Sequence, residues 1–121
     1  IRKTEKNPRY EYEFAICLAE SDRHIGGCGI RLEAGVLSKV AHLGWAINPK
    51  FQGKGYATEA AKRIIKFGFE DLNILVAYAT CDTRNIASYK IMEKVKMTRV
   101  GCIKERKAKD GLTSEYRYEI Y

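Results

Sequence analysis

The chain has 121 residues, with 22 Lys and Arg against 15 Asp and Glu, which gives a formal net charge of +7. This length suits one domain over residues 1–121 with a core that needs no disulfide or metal, and 45% hydrophobic residues with only 2 prolines argue against disorder. No apolar run is long enough to cross a bilayer, and the first residues lack the pattern of a signal peptide. The positive charge favours anionic partners such as nucleic acid, acidic surfaces or phosphate-bearing cofactors.

In chain order, the first half alternates apolar segments with turn signals. Two strands are predicted over residues 13–20 and 25–33, and the short polar turn between them makes them antiparallel neighbours. A third strand, over residues 39–48, is expected to stop at Asn48-Pro49, because a residue before proline avoids helical geometry.

The second half begins with the clearest helical pattern. Apolar residues recur at helical spacing from Tyr56 to about Leu72, and an apolar strand follows over residues 73–82. Strand, helix and strand in succession predict a right-handed crossover between two parallel strands. A second helix is predicted over residues 85–95.

The chain closes with two strands, over residues 97–105 and 112–121, around the strong turn signal Asp110-Gly111. The predicted fold class is therefore α/β (α+β), a mixed and mostly antiparallel sheet with one central parallel pair and flanking helices. Its tyrosine-rich last strand and an exposed sheet edge would permit a homodimer.

The cysteines share wide spacing, apolar surroundings and the absence of any CxxC pair. This pattern indicates neither a disulfide framework nor a metal site, and we interpret the four as reduced core residues of a cytoplasmic protein. They are Cys17, Cys28, Cys81 and Cys102.

Two glycines flank a lysine just before the first helix, in the stretch FQGKGYATEA at residues 51–60. A strand, a glycine loop and a helix start together make an anion site, because unpaired amides and the positive helix end point to one place. Two common phosphate loops do not match. A Walker loop needs glycine at Asn48 and Ser or Thr at Gly55, and a GxGxxG loop needs glycine at Thr58.

Residues 52–57 read Q-x-x-G-x-A and resemble the pyrophosphate-binding signature of the GNAT superfamily of acyl-CoA N-acyltransferases. The flanks LGWAINPKFQGKGYATEA and NIASYKIMEKV look like its branch of ribosomal-protein alanine N-acetyltransferases. The resemblance runs from about Glu13 to Tyr121. The superfamily's first strand and first two helices have no recognisable counterpart ahead of Glu13, and Lys96-Met97 replaces a usual Gly-Phe, so the resemblance implies a shortened member.

The resemblance implies that the two parallel strands splay apart and that acetyl-CoA lies in the gap. An ordinary tight turn at the glycines and a helix cap at Asn85 are the alternatives from the residues alone. The residues that the resemblance implies for CoA binding are Ile47, Gln52, Gly53, Lys54, Gly55, Tyr56, Ala57, Thr58 and Asn85.

The same resemblance suggests two catalytic residues and no metal. His42 aligns with a strand position where many members carry a base, and Ser88 matches a serine that could protonate or hydrogen-bond the departing sulfur. The alternatives are a surface histidine and a serine that makes only local hydrogen bonds. Met92 stands where many members have a tyrosine acid, and Gly44 would permit a strand bulge that frees an amide.

The implied function is transfer of an acetyl group from acetyl-CoA to a primary amine, with a protein N-terminal α-amine as a candidate, by direct attack in a ternary complex. A non-catalytic acyl-CoA-binding module is the alternative. A nucleic-acid binder that uses the basic stretch KERKAKDG, residues 104–111, is a third and less favoured interpretation, because such runs are usually solvated hairpin tips.

Overall fold

The computed structural model describes residues 2–5, 10–33, 38–108 and 111–121, with side chains for 10–33, 38–102 and 114–121. These residues form strands β1 (Arg2–Glu5), β2 (Glu11–Cys17), β3 (His24–Leu32), β4 (Val40–Ile47), β5 (Val76–Asp82), β6 (Thr98–Ala108) and β7 (Gly111–Ile120), a short 3-10 helix (Pro49–Phe51), and helices α1 (Tyr56–Glu70) and α2 (Ile86–Lys94).

One sheet contains all seven described strands in the order β1-β2-β3-β4-β5-β7-β6. Every neighbouring pair is antiparallel except β4 and β5, which the α1 crossover joins in parallel. The predicted fold class is therefore confirmed. The last strand, β7, lies between β5 and β6 rather than at an edge, so a homodimer that pairs sheet edges would use β1 or β6.

The expectation that no strand precedes Glu13 is wrong. β1 pairs antiparallel with β2 from Arg2 opposite Ala15 to Glu5 opposite Tyr12. Its sequence, RKTE, has no alternation of apolar and polar residues to reveal it, because an edge strand gains its order from backbone pairing with its neighbour.

Two other predicted features differ from the structure or lie beyond it. The fifth strand begins at Val76 rather than residue 73, because Asn73 has a φ of 56°, which is incompatible with an extended strand. Asp110 of the predicted hairpin turn lies outside the described residues, and β7 begins at Gly111.

Both helices pack on one face of the sheet and make the core there. Along β4 the side chains of Ala41, Leu43 and Ile47 are buried, whereas His42 lies on the opposite face, as strand alternation requires. In α1 the buried residues are Ala60, Ala61, Ile64 and Gly68, and burial of a side chain such as Ile64 is worth about 1.5–3 kcal/mol.

The cysteine prediction holds for two of the four positions. Cys28 and Cys81 are buried and all four thiols are free, but Cys17 is half-buried and Cys102 is exposed. The interpretation of Cys102 as a core residue is wrong, because β6 is an edge strand and its pairing with β7 shifts register between Arg99 and Gly101. Among the described helices, none combines the length and apolar character that a membrane crossing needs.

Candidate functional site

The parallel strands β4 and β5 pair at only three positions, from Val40 opposite Val76 to His42 opposite Tyr78. Beyond that point β4 continues to Ile47 and β5 to Asp82 without pairing with each other. The strands therefore splay apart as expected, and the gap exposes backbone groups that a ladder would otherwise use.

The loop that follows β4 turns on two glycines in the left-handed region. Gly53 has a φ of 77° and Gly55 a φ of 85°, a conformation that other residues adopt only with strain. A Cβ at either position would meet no atom within 4 Å. The glycines are thus required by backbone conformation, and the space beside them is open.

The amides of this loop have no backbone hydrogen-bond partner among the described residues. In the described part of the chain, no backbone oxygen accepts from the amides of residues 53–58, and the first α1 amide to be satisfied is that of Glu59, 3.0 Å from the Gly55 carbonyl oxygen. Gly55 caps α1 without a side-chain hydrogen bond. Unpaired first-turn amides and the positive helix end together favour an anion here.

Side chains on the approach to the loop hold its shape. Asn48 Oδ1 accepts from the Lys50 amide at 3.0 Å, and Gln52 Nε2 donates to the Ile47 carbonyl at 3.0 Å. The Gln52 amide is therefore used to tie the loop to the end of β4. Lys54 Nζ lies 6.0 Å from the centroid of the Phe51 ring.

A cavity of about 400 Å³ brings the loop, the end of β4 and one face of α2 together. Every residue predicted to bind CoA lines it except Lys54, and Ser88 lines it as well. No carboxylate is among the described residues that line it, which are Trp45, Ala46, Ile47, Phe51, Gln52, Gly53, Gly55, Tyr56, Ala57, Thr58, Asn85, Ala87, Ser88, Lys90, Ile91 and Lys94.

The start of α2 carries the second group of predicted residues. Asn85 Oδ1 accepts from the Ser88 amide at 3.1 Å, so Asn85 caps the helix while it also lines the cavity. The pKa of the Cys81 thiol is raised chiefly by burial, and the neighbouring Ser88 side chain lowers it in part. Met92 is only 1% exposed, which places it in the core.

A second cavity, of about 620 Å³, lies against the sheet face that carries His42. Its lining includes His42, Glu11 and Glu13, and it shares Trp45 and Ala46 with the first cavity. His42 and Ser88 thus line two different cavities, on opposite sides of the splayed part of β4. The structure does not bring these two candidate catalytic residues into one pocket.

The pKa of His42 lies below its usual value. Burial is the main cause, and the positive charges of Arg31 on β3 and Arg117 on β7 add to it, while Glu33 and Glu115 oppose it. The imidazole is therefore neutral at pH 7 and can accept a proton.

Tyr78 is a neighbour of His42 that the sequence did not single out. Its ring centroid lies 5.0 Å from that of His42, and the Arg117 guanidinium carbon lies 3.7 Å from the Tyr78 ring centroid. The pair stands where the β4–β5 ladder ends, so the Tyr78 ring fixes one side of the imidazole at the start of the gap.

The predicted bulge at Gly44 is wrong. β3 and β4 keep an unbroken register from Gly26 opposite Ile47 to Leu32 opposite Ala41, with Gly44 opposite Gly29. The amide of Gly44 is therefore not released by a bulge.

The sequence interpretation also missed a group of α2 residues that line the first cavity, namely Ala87, Lys90, Ile91 and Lys94. Their spacing of three and four residues puts them on one helical face, which was visible in the sequence. In the basic stretch proposed for nucleic acid, Lys109 lies outside the described residues, as do the side chains of Lys104, Arg106 and Lys107.

Comparison with known proteins gives one family. The family model of the acetyltransferase (GNAT) domain matches residues 1–98. An uncharacterized N-acetyltransferase of Bacillus subtilis, YnaD, is 43% identical over 79 residues, which cover 64% of this chain and 46% of that protein. The chain thus spans about half the length of this relative.

Solved structures share the fold. The crystal structure of a GNAT-family acetyltransferase from Bacillus anthracis superimposes with a TM-score of 0.83 at 30% identity, covering 95% of this chain and 68% of that one. A Vibrio cholerae spermidine N-acetyltransferase matches with a TM-score of 0.85 at 22% identity, covering 94% and 67%. A ribosomal-protein-S5 alanine acetyltransferase from Vibrio fischeri has a TM-score of 0.83 at 18% identity, covering 92% and 61%, so the likeness to the ribosomal branch is distant.

Proposed function

Because this chain belongs to the GNAT acetyltransferase family, we propose that it transfers an acetyl group from acetyl-CoA to a primary amine. The observation that carries the proposal is the cavity beside the end of β4, which is lined by the glycine loop with its unpaired amides and by α2. The loop amides favour an anion, and the unpaired edges of β4 and β5 favour an extended ligand with amide groups.

The residues present fit acetyl-CoA. Amides of residues 53–58 would hold the pyrophosphate, since no described backbone oxygen uses them and the positive end of α1 lies behind them. The edges of β4 and β5 beyond His42 would hydrogen-bond the pantetheine amides. The remaining predicted contacts, Asn85 and Ile47, line the same cavity.

The acceptor amine would approach from the face that carries His42. The two cavities share the lining residues Trp45 and Ala46, so an amine in the second cavity would meet the thioester in the gap beside these two residues. Acetyl-CoA supplies a thioester whose thiol, with a pKa of roughly 8.5, leaves readily. His42 would take a proton from the attacking amine through water, and Ser88 would hydrogen-bond the departing sulfur.

The acceptor is best matched by an amine of modest basicity. An imidazole with a lowered pKa deprotonates an α-amine, at about 8, more readily than a lysine side chain at about 10.4. A protein N-terminal α-amine is therefore our first candidate. The fold neighbours include enzymes named for spermidine and for ribosomal-protein alanine, which makes both classes of amine part of any test.

Titration of acetyl-CoA into the chain, followed by an assay of free CoA released with peptide, polyamine and small-amine acceptors, tests the proposal. Release of CoA that depends on one acceptor would support the enzyme. Tight binding with no release from any acceptor would support the non-catalytic module instead.

The pH dependence of catalysis should show the role of His42. We expect kcat/KM to fall on the acid side with a midpoint below 6.5, the ordinary pKa of histidine, because burial and two arginines hold its pKa down. His42→Gln should remove this limb and leave the alkaline limb of the acceptor amine. An acid limb that persists in the variant would assign it to another group.

The same shift predicts a stability effect of defined sign. Because the pKa of His42 is lower in the folded chain, the unfolded chain binds more protons between the two values. The contribution of His42 to the free energy of unfolding is thus fully present above about pH 6.5, the pKa in the unfolded chain. It is lost as the pH falls through the lower pKa of the folded chain.

Cys81→Ala should retain activity, because direct attack in a ternary complex forms no acyl-cysteine. Cys81 is a buried free thiol beside Ser88, and its raised pKa makes it a poor nucleophile at pH 7. Steady-state rates with saturating acetyl-CoA and mass spectrometry for a covalent acetyl group check this. A trapped acetyl-cysteine together with loss of turnover in the variant would favour a two-step route.

We also infer a cytoplasmic location. The support is the four free thiols, two of them buried, which are typical of a reducing compartment.

A further inference from the structure

We propose that Lys90 and Lys94 of α2 form a cationic wall that recognises the 3′-phosphate of CoA, so that the chain distinguishes CoA from 3′-dephospho-CoA. The inference rests on the proposed function, because it concerns a second phosphate of the same ligand. It adds a contact that the glycine loop cannot supply and that the sequence interpretation did not include.

The two lysines stand together on the cavity. They are four residues apart, so their side chains project from the same face of α2, and both line the cavity of about 400 Å³ that the glycine loop also lines. Ala87 and Ile91 line the same cavity, and their apolar side chains offer no competing charge.

The carboxylates close to α2 interact with residues other than the two lysines. Glu93, the single acid of α2, accepts from the Tyr118 hydroxyl at 2.7 Å and lies 3.8 Å from the Arg99 guanidinium. Asp82 at the end of β5 pairs with Arg84 at 2.8 Å. In the described part of the chain no acid pairs with Lys90 or Lys94, so the wall keeps its positive charge.

The two kinds of phosphate in CoA suit the two parts of the cavity, the glycine loop and the pair of lysines. The glycine loop offers neutral amides and a helix end, which suit the diesterified pyrophosphate. A 3′-phosphomonoester carries about −1.5 to −2 charges at pH 7 and is better satisfied by ammonium groups than by amides alone. Lysine acts on phosphate as a point charge on a flexible stem, so it needs no fixed fork geometry.

Calorimetric titration of CoA and of 3′-dephospho-CoA into the chain, both at the same ionic strength, tests the proposal. The wild-type chain should bind CoA about 10-fold more tightly than 3′-dephospho-CoA, which corresponds to a modest exposed charge contact. In Lys90→Ala/Lys94→Ala the affinity for CoA should fall by that factor, while the affinity for 3′-dephospho-CoA should stay unchanged.

Lys62→Ala/Lys66→Ala is the matched control, because these lysines have the same spacing on the exposed face of α1 and line neither cavity. It removes the same net charge and should leave the CoA preference intact.

Equal affinity of the wild-type chain for both ligands would overturn the inference while leaving the proposed function in place. An equal loss in the two double variants would also overturn it, because the effect would then be one of net charge. Failure of the folded wild-type chain to bind either ligand would overturn the proposed function and this inference with it.

Discussion

Gly55→Glu is expected to abolish acetyl-CoA binding, a loss of at least about 100-fold, while the chain still folds. The new side chain begins in open space, since a Cβ at Gly55 meets nothing within 4 Å. Its carboxylate would lie among the amides of residues 53–58, where it would take their hydrogen bonds and repel the pyrophosphate. Calorimetric titration measures the affinity.

The stability of Gly55→Glu should change far less than its affinity. A non-glycine residue at a φ of 85° costs about 1–2 kcal/mol, and an acid at a helix N-terminus returns about 0.3–1 kcal/mol. Urea unfolding should therefore show a loss of roughly 1 kcal/mol, which separates a blocked site from an unfolded chain.

Gly55→Gln is the matched control, because it has the same size and the same backbone strain without the charge. It should bind acetyl-CoA more tightly than Gly55→Glu, and the difference between the two is the electrostatic part of the block. Wild-type affinity in folded Gly55→Glu would show that the ligand does not use this loop, and the assignment of the cavity would fail.

The local features of this site were predictable from the sequence because they depend on neighbouring residues. A strand that ends at Asn48-Pro49, two glycines and an immediate helix start determine where unpaired amides collect, and the structure has this geometry. The alternation of β4 also predicts that His42 and Leu43 lie on opposite faces of the sheet.

The predictions that were wrong concern features that depend on pairing with distant strands. β1 is ordered by β2, and the exposure of Cys102 follows from the edge position of β6 and its shifted register, neither of which periodicity reveals. The regular register across Gly44 likewise depends on its partner, Gly29. The separation of His42 from Ser88 needed the tertiary structure, since it depends on which face of the sheet α2 covers.

Gly26→Ala is expected to destabilise the fold by about 3 kcal/mol, because it inserts a methyl group between two paired backbones. The new Cβ would lie 2.2 Å from the carbonyl oxygen of Ala46 and 3.0 Å from the Cα of Ile47. Neither atom can rotate away as a side-chain end could, so β3 and β4 must separate locally and lose pairing. Urea unfolding, with the midpoint shifted and the slope unchanged, measures the loss.

Gly27→Ala, the next residue of the same strand, is the control. Its Cβ would lie 3.5 Å from the Phe14 carbonyl oxygen, an ordinary contact, so the gain in unfolded-state order should leave stability unchanged or raised by about 0.5 kcal/mol. Equal behaviour of the two variants would contradict the close approach of β3 to β4. Because Ala46 and Ile47 also line the cavity that we propose for acetyl-CoA, Gly26→Ala should weaken acetyl-CoA binding even where the chain remains folded. The close approach at Gly26 thus links the stability of the sheet to the shape of the site.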